Sequence, residues 1–198
     1  MFHPMMMRRV RISSLRRRRI LASALLLAAL ACAALPGVSQ ASKRISGPGY
    51  STILPNGWRV STSRSAGLHQ LRAYAPRTTV KLLTIGVTVI SARTLARQAG
   101  VKRLPSSPER LLQLVAKTPS GAAGAQVRTT PRPVRLARAS GAWEVLEYIL
   151  NSQFDVVQTN IVTRRHGRVY WVEMEVDKLV QADGTAAMDP LRSHWRWG

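Results

Sequence analysis

The stretch DVVQTNIVTRRHGRVYWVEMEV, from Asp155 to Val176, decides the fold class. In its second half Tyr170, Val172, Met174 and Val176 fall on one face of an extended chain, and Glu173 and Glu175 fall on the other. That period of two is the mark of a strand in a sheet buried on one side. Asp155 to Arg164 is rich in Val, Ile and Thr and supplies a second strand, and Arg165-His166-Gly167 between them reads as a hairpin turn. The two glutamates are then expected on a solvated face, as ion-pair partners of arginine and not as a catalytic pair.

Working outward, Trp143 to Leu150 also alternates, with Leu146, Tyr148 and Leu150 on one side, and Val134 to Ala137 is a modest strand before it. Nearer the start, Tyr50 to Leu54 and Trp58 to Ser63 flank Pro55-Asn56-Gly57, which reads as a hairpin because Asn-Gly tolerates positive φ. Leu68 to Ala75 and Thr79 to Ile90 add two strands. Two helices follow. Ser91 caps Ala92 to Ala99 ahead of Gly100, and Ser107-Pro108-Glu109 opens a second helix, which the loop Pro119 to Gly124 ends. A last amphipathic helix is expected with Asp189 as cap, Pro190 at its first position, and Leu191, His194 and Trp195 on one side. Strands, helices, strands and a helix give one α+β domain, a mainly antiparallel sheet flanked by helices.

The first forty residues carry a different signal. Arg8, Arg9, Arg11 and Arg16 to Arg19 precede the uncharged run Ile20 to Leu35, then Pro36-Gly37 and the small-residue pattern Ser39-Gln40-Ala41. These are the three parts of an export signal in order, so residues 1–41 are expected to be a cleaved signal peptide and residues 42–198 the domain. An apolar run of sixteen residues is short for a spanning helix, which needs about 20, so an uncleaved anchor is the second reading. Cys32 is the single cysteine and lies in the leader, so the domain itself contains none and relies on its core.

Charge is uneven. The chain carries 30 Lys and Arg against 9 Asp and Glu, a formal net charge of +21. No acid occurs between Ser42 and Pro108, where eleven basic residues lie. The densest basic cluster of the domain is Arg164, Arg165 and Arg168 around the hairpin turn; Arg128, Arg132, Arg135 and Arg138 form a second. Such a surface suits an anionic partner. Specific nucleic-acid binding is not expected, because no recognition motif and no interleaved aromatic set accompanies the charge.

No Gly-x-Ser-x-Gly elbow is present, and His69, His166 and His194 lack the spacing and company of metal ligands, so no catalytic residue, metal or cofactor is expected. Of the five tryptophans, Trp58 and Trp195 read as core anchors, whereas Trp171 falls on the Glu173 face, covered by a helix or open to a ligand. Arg164, Arg165, Arg168 and Trp171 are therefore the candidate ligand-binding residues.

The opening Tyr50-x-x-x-Leu54-Pro55-Asn56-Gly57-Trp58 and the closing Leu191-Arg192-Ser193-His194-Trp195 resemble the two ends of exported PsbP-like domains, which include the LpqN-type lipoproteins. The resemblance implies an α/β/α sandwich built on an antiparallel sheet, and a binding or accessory role without catalysis. Residues and resemblance together predict an exported, non-enzymatic domain at the cell envelope. Its expected partner is an anionic envelope component, a lipid headgroup or wall polymer, or another envelope protein. The alternatives are an extracytoplasmic hydrolase whose site has no motif, and a domain retained at the membrane by residues 20–35.

Overall fold

Why the chain needs two sheets is visible in its strand patterns. The computed structural model describes residues 42–65, 67–76, 82–115, 122–152 and 154–198. The chain divides into the units Met1–Ser39 and Gln40–Gly198, and the expected signal peptide lies outside the described residues. In the second unit β1 (Ser42–Gly47), β2 (Tyr50–Pro55) and β10 (Arg196–Trp197) form a small sheet in the order β1-β2-β10. A seven-stranded antiparallel sheet has the order β3-β4-β5-β9-β8-β7-β6, built from β3 (Arg59–Ser65), β4 (Leu68–Tyr74), β5 (Leu83–Ser91), β6 (Ala122–Leu136), β7 (Ala139–Leu150), β8 (Phe154–Arg165) and β9 (Arg168–Asp177). Helices α1 (Ala92–Gln98), α2 (Pro108–Val115) and α3 (Gln181–Ser193) complete the α+β domain.

The strands Asp155–Arg164 and Val169–Val176 are present as β8 and β9, closed by His166-Gly167 with φ of 46° and 71°. Positive φ at both central residues is the geometry that matches the right-handed twist of paired strands. Ser91 caps α1 by accepting from the Thr94 backbone N–H at 3.0 Å, and the Ser107 hydroxyl accepts from Arg110 N–H at the start of α2.

Three expectations need correction. Pro55-Asn56-Gly57 does not close a hairpin: β2 pairs with β1 and β10, and β3 pairs with β4 in the other sheet. The turn, with Gly57 at φ 82°, carries the chain from one layer to the next, and Trp58 is buried in the core just beyond it. A turn dipeptide fixes local geometry, whereas strand pairing follows which partner covers the buried face.

The last helix also starts earlier than its caps suggested. It runs from Gln181, and Pro190 lies inside it. Packing overrides the proline, because Gly184, Ala187, Met188 and Leu191 form its buried stripe and a Cβ at Gly184 would stand 3.0 Å from Met174 Sδ. His194 is the exposed C-terminal cap, not a half-buried helix residue. Finally, β6 begins at Ala122, inside the segment read as a loop, and its pairing with β7 absorbs register shifts at several points.

The two faces of the large sheet are covered differently. On one lie α3 and the small sheet, over a core of Leu71, Ile85, Val87, Ile161, Tyr170, Val172 and Met174. Leu54 and Trp58 from the opening motif join Leu191 and Trp195 from the closing one in this same core. Trp195, fully buried, stacks on Tyr50 at 4.6 Å, and Tyr170 meets both rings edge-on. On the opposite face Leu95 of α1 and Leu111, Leu112 and Val115 of α2 cover Ile90, Ala142, Val162 and Val169.

Candidate functional site

Antiparallel strands place both hairpin tips and the β5–α1 junction at one end of the large sheet. The β3–β4 tip at residues 64–68 is tied there by Ser91 N–H donating to Gly67 O at 3.0 Å. The β8–β9 tip at residues 165–168 is tied by Ala92 N–H donating to Gly167 O at 2.8 Å. The β6–β7 turn joins the same end, where Thr163 Oγ1 donates to Ser140 O at 2.8 Å. Arg64 of β3, Arg93 of α1, Arg135 of β6, Arg138 of the β6–β7 turn, Arg164 and Arg165 of β8 and Arg168 of β9 are thereby gathered from segments far apart in sequence. Among the described residues none of these guanidinium groups takes part in an ion pair. The nearby acid of α2, Glu109, is engaged by the Ser107 hydroxyl at 2.6 Å, which holds its carboxyl below the usual range.

The other end of the sheet carries acids. Glu147, Asp155 and Asp177 lie at the far ends of β7, β8 and β9, where Lys178 Nζ approaches Glu147 at 3.4 Å and Asp155 at 3.7 Å. Lys178, and Arg59 of β3, lie at this end as well, so these acids stand among bases, whereas the opposite end gathers arginines, a layout that a charge count along the chain does not show. An uneven layout of this kind orients a protein over a charged surface.

The four candidate residues occupy three places. Arg164 and Arg165 line a depression of about 430 Å³ with Ser106, Pro108 and His166, and the Arg165 guanidinium sits over the Trp197 ring at 5.1 Å. Arg168 lines a larger one, about 590 Å³, with Arg64, His69, Ser46, Ser65 and Ser91. Trp171 is on the face opposite Arg165 and Arg168, the face that Arg164 shares, in a cavity of about 230 Å³ under α1 and α2 lined by Leu68, Ile90, Leu95 and Leu114. Its Nε1–H donates to Asn160 Oδ1 at 3.0 Å. The three arginines share one end of the sheet, but Trp171 does not converge on them. The side chain of Arg128 is not described; Arg132 lies over the Trp143 ring at 4.6 Å.

His69 is the residue that sequence reasoning passed over. It is directly opposite Arg64 in the β3–β4 ladder, is 5% exposed, and its Nδ1 is sealed from solvent without a hydrogen-bond partner. Burial pushes its pKa down, and Arg64 adds to that. A signal was present: alternation in Leu68 to Ala75 places His69 with Leu71 and Ala73 on the inward face.

The glutamate face is largely covered and not openly solvated: Glu144 is buried, and Glu173 and Glu175 are half-buried. Glu144, Asn160 and Glu173 stand side by side on β7, β8 and β9, with Glu144 5% and Asn160 0% exposed. Burial, together with Glu175, pushes the Glu173 carboxyl up to about 7, against the pull of Arg72 at 3.8 Å. Burial also raises Glu144, partly offset by the Asn160 amide. Glu175 accepts from Tyr148 Oη at 3.0 Å and from Thr84 Oγ1 at 3.4 Å. Glu175 is thus held by hydrogen bonds within the sheet, and Glu173 lies beside Arg72; the described residues contain no cluster of His, Cys, Asp and Glu able to hold a metal ion.

No protein-family model matches the chain, and no curated protein matches it. Solved structures do. LpqN, involved in cell envelope biogenesis of Mycobacterium tuberculosis, aligns with a TM-score of 0.51 at 15% identity over 79% of this chain and 90% of its own. The cyanobacterial PsbP (CyanoP) of Synechocystis aligns at 0.47 and 13% identity over 83% and 98%, and the Saccharomyces cerevisiae Ran-binding protein Mog1p at 0.46 and 13% over 80% and 96%. The likeness to LpqN is one of the α+β fold, and at 15% identity it does not extend to the opening and closing motifs.

Proposed function

We propose that this chain is a non-enzymatic binding or accessory domain of the cell envelope, which docks through the basic end of its large sheet onto an anionic envelope component. The observation that carries the reading is the gathering of Arg64, Arg93, Arg138, Arg164, Arg165 and Arg168 at one end without ion pairs, opposite an end that carries Glu147, Asp155 and Asp177. Unpaired guanidinium groups retain their full attraction for an external anion, and the uneven layout turns that end toward it. The export signal read in residues 1–41 and the fold shared with the envelope protein LpqN agree with such a place. Among the described residues no helix is long and apolar enough to cross a membrane.

Flotation of residues 40–198 with phosphatidylglycerol vesicles tests the reading. Binding is expected to phosphatidylglycerol and not to phosphatidylcholine, and to fall about tenfold or more when Arg164, Arg165 and Arg168 are all changed to Ala. Equal binding by the triple variant, or equal binding to neutral vesicles, rejects the basic end as the docking surface.

A further inference from the structure

Resting on the anionic-partner reading, we propose that the depression between Arg64, His69 and Arg168 is a phosphoryl-binding pocket, which takes the terminal phosphate of a small molecule or of a lipid headgroup. Three features of the pocket point there. Its volume, about 590 Å³, is in the range of small-molecule sites, and no carboxylate is among its lining residues. Two guanidinium groups reach it from different strands, Arg64 from β3 and Arg168 from β9, and their planar donor forks suit a doubly charged oxyanion. Ser46 and Ser65 add hydroxyl groups to the same lining.

The pocket is also built, not a chance gap between mobile side chains. The backbone bonds from Ser91 to Gly67 and from Ala92 to Gly167 lock together the two tips that bear the arginines. Gly49, at φ 81°, leaves space that a side chain would fill: a Cβ there would stand 3.3 Å from Arg168 Nη1. The Arg168 fork and the Tyr170 hydroxyl both lie close to the Gly49 backbone. Preorganised donors lose less freedom on binding than free surface side chains do.

His69 completes the lining. The sealed Nδ1 lacks a partner in either tautomer, and we assign the proton to Nε2, the ring nitrogen that is not left both buried and unpartnered. The neutral ring then offers one N–H beside two guanidinium groups, without adding a third full charge to desolvate.

The test is a titration of residues 40–198, the unit that contains the whole described core, with inorganic phosphate and with glycerol phosphate. It is followed by nuclear magnetic resonance at His69 and at the arginine Nε–H groups, with sodium chloride at matched ionic strength as control. A saturable shift at His69 and Arg168 is expected, absent with chloride. Arg64→Ala and Arg168→Ala, both at exposed positions, are each expected to weaken it about tenfold, and Arg110→Ala, on the exposed side of α2 and outside the pocket, to leave it unchanged. Displacement of glycerol phosphate by phosphatidate vesicles identifies a headgroup as the source; retention identifies a free phosphate compound. A non-saturating shift, or one equal in the Arg64 and Arg168 variants, overturns the pocket even where vesicle flotation succeeds. Saturation without vesicle binding leaves the pocket standing and rejects the docking surface.

Discussion

Glu173 shows how one residue registers its surroundings. Alternation placed it correctly opposite Met174 but said nothing of what covers that face, and the structure puts it over Gly86 beside Glu175, Arg72 and Tyr148. Its carboxyl titrates near 7 in the folded chain against 4.5 ordinarily. Between those values the native state binds more protons than the unfolded state, so stability falls as pH rises through that window. The expected loss is about 2 to 3 kcal/mol, complete above pH 7. Glu173→Gln removes the titration: denaturant unfolding at pH 8 should find it more stable than the parent by about 2 kcal/mol, and nearly equal at pH 4.5. A stability difference between Glu173→Gln and the parent that stays constant from pH 4.5 to about 8 contradicts the burial of this carboxylate. His69 teaches the same lesson from the other direction. Its inward position was legible from Leu71 and Ala73, but Arg168 lines the same pocket only because β9 is inserted beside β5, a pairing such as Ser91 with Arg168 that joins distant parts of the chain.

At the scale of elements, what the sequence disclosed depended on whether the deciding contacts are local. The β8–β9 hairpin, the Ser91 cap and the Ser107-Pro108 start of α2 are set by neighbours within a few residues, and each was readable. The Pro55-Asn56-Gly57 turn and the extent of α3 depend on layers assembled from opposite ends of the chain, and were not. The small sheet and α3 are joined to the large sheet by Trp195, stacked on Tyr50 and edge-on to Tyr170, and by the Thr52 hydroxyl, which donates to Leu191 O. Trp195→Ala should therefore cost about 3 to 5 kcal/mol by urea unfolding, as expected for a fully buried large aromatic. A loss below about 1 kcal/mol would mean that this layer is not part of the cooperative core.

For the whole molecule the informative quantity is the placement of charge, more than its sum of +21. Composition alone fits an arginine-rich genome as well as a binding surface; the proposed docking rests instead on Arg64, Arg164, Arg165 and Arg168, which among the described residues take part in no ion pair and stand at one end of the sheet. Attraction to an anionic surface through exposed arginines is screened over about 10 Å at 0.1 M salt, so vesicle affinity should fall steeply between 50 and about 500 mM sodium chloride. Affinity that is flat across that range would point to apolar insertion and away from the basic end. The direct test of the account is hydrogen-exchange mapping of residues 40–198 with and without phosphatidylglycerol vesicles. Added protection is expected at the tips, residues 64–68, 91–93 and 164–168, with none at Glu147, Asp155 or Asp177. Protection centred on α3 or on the opposite end, with the three tips unchanged, would contradict it.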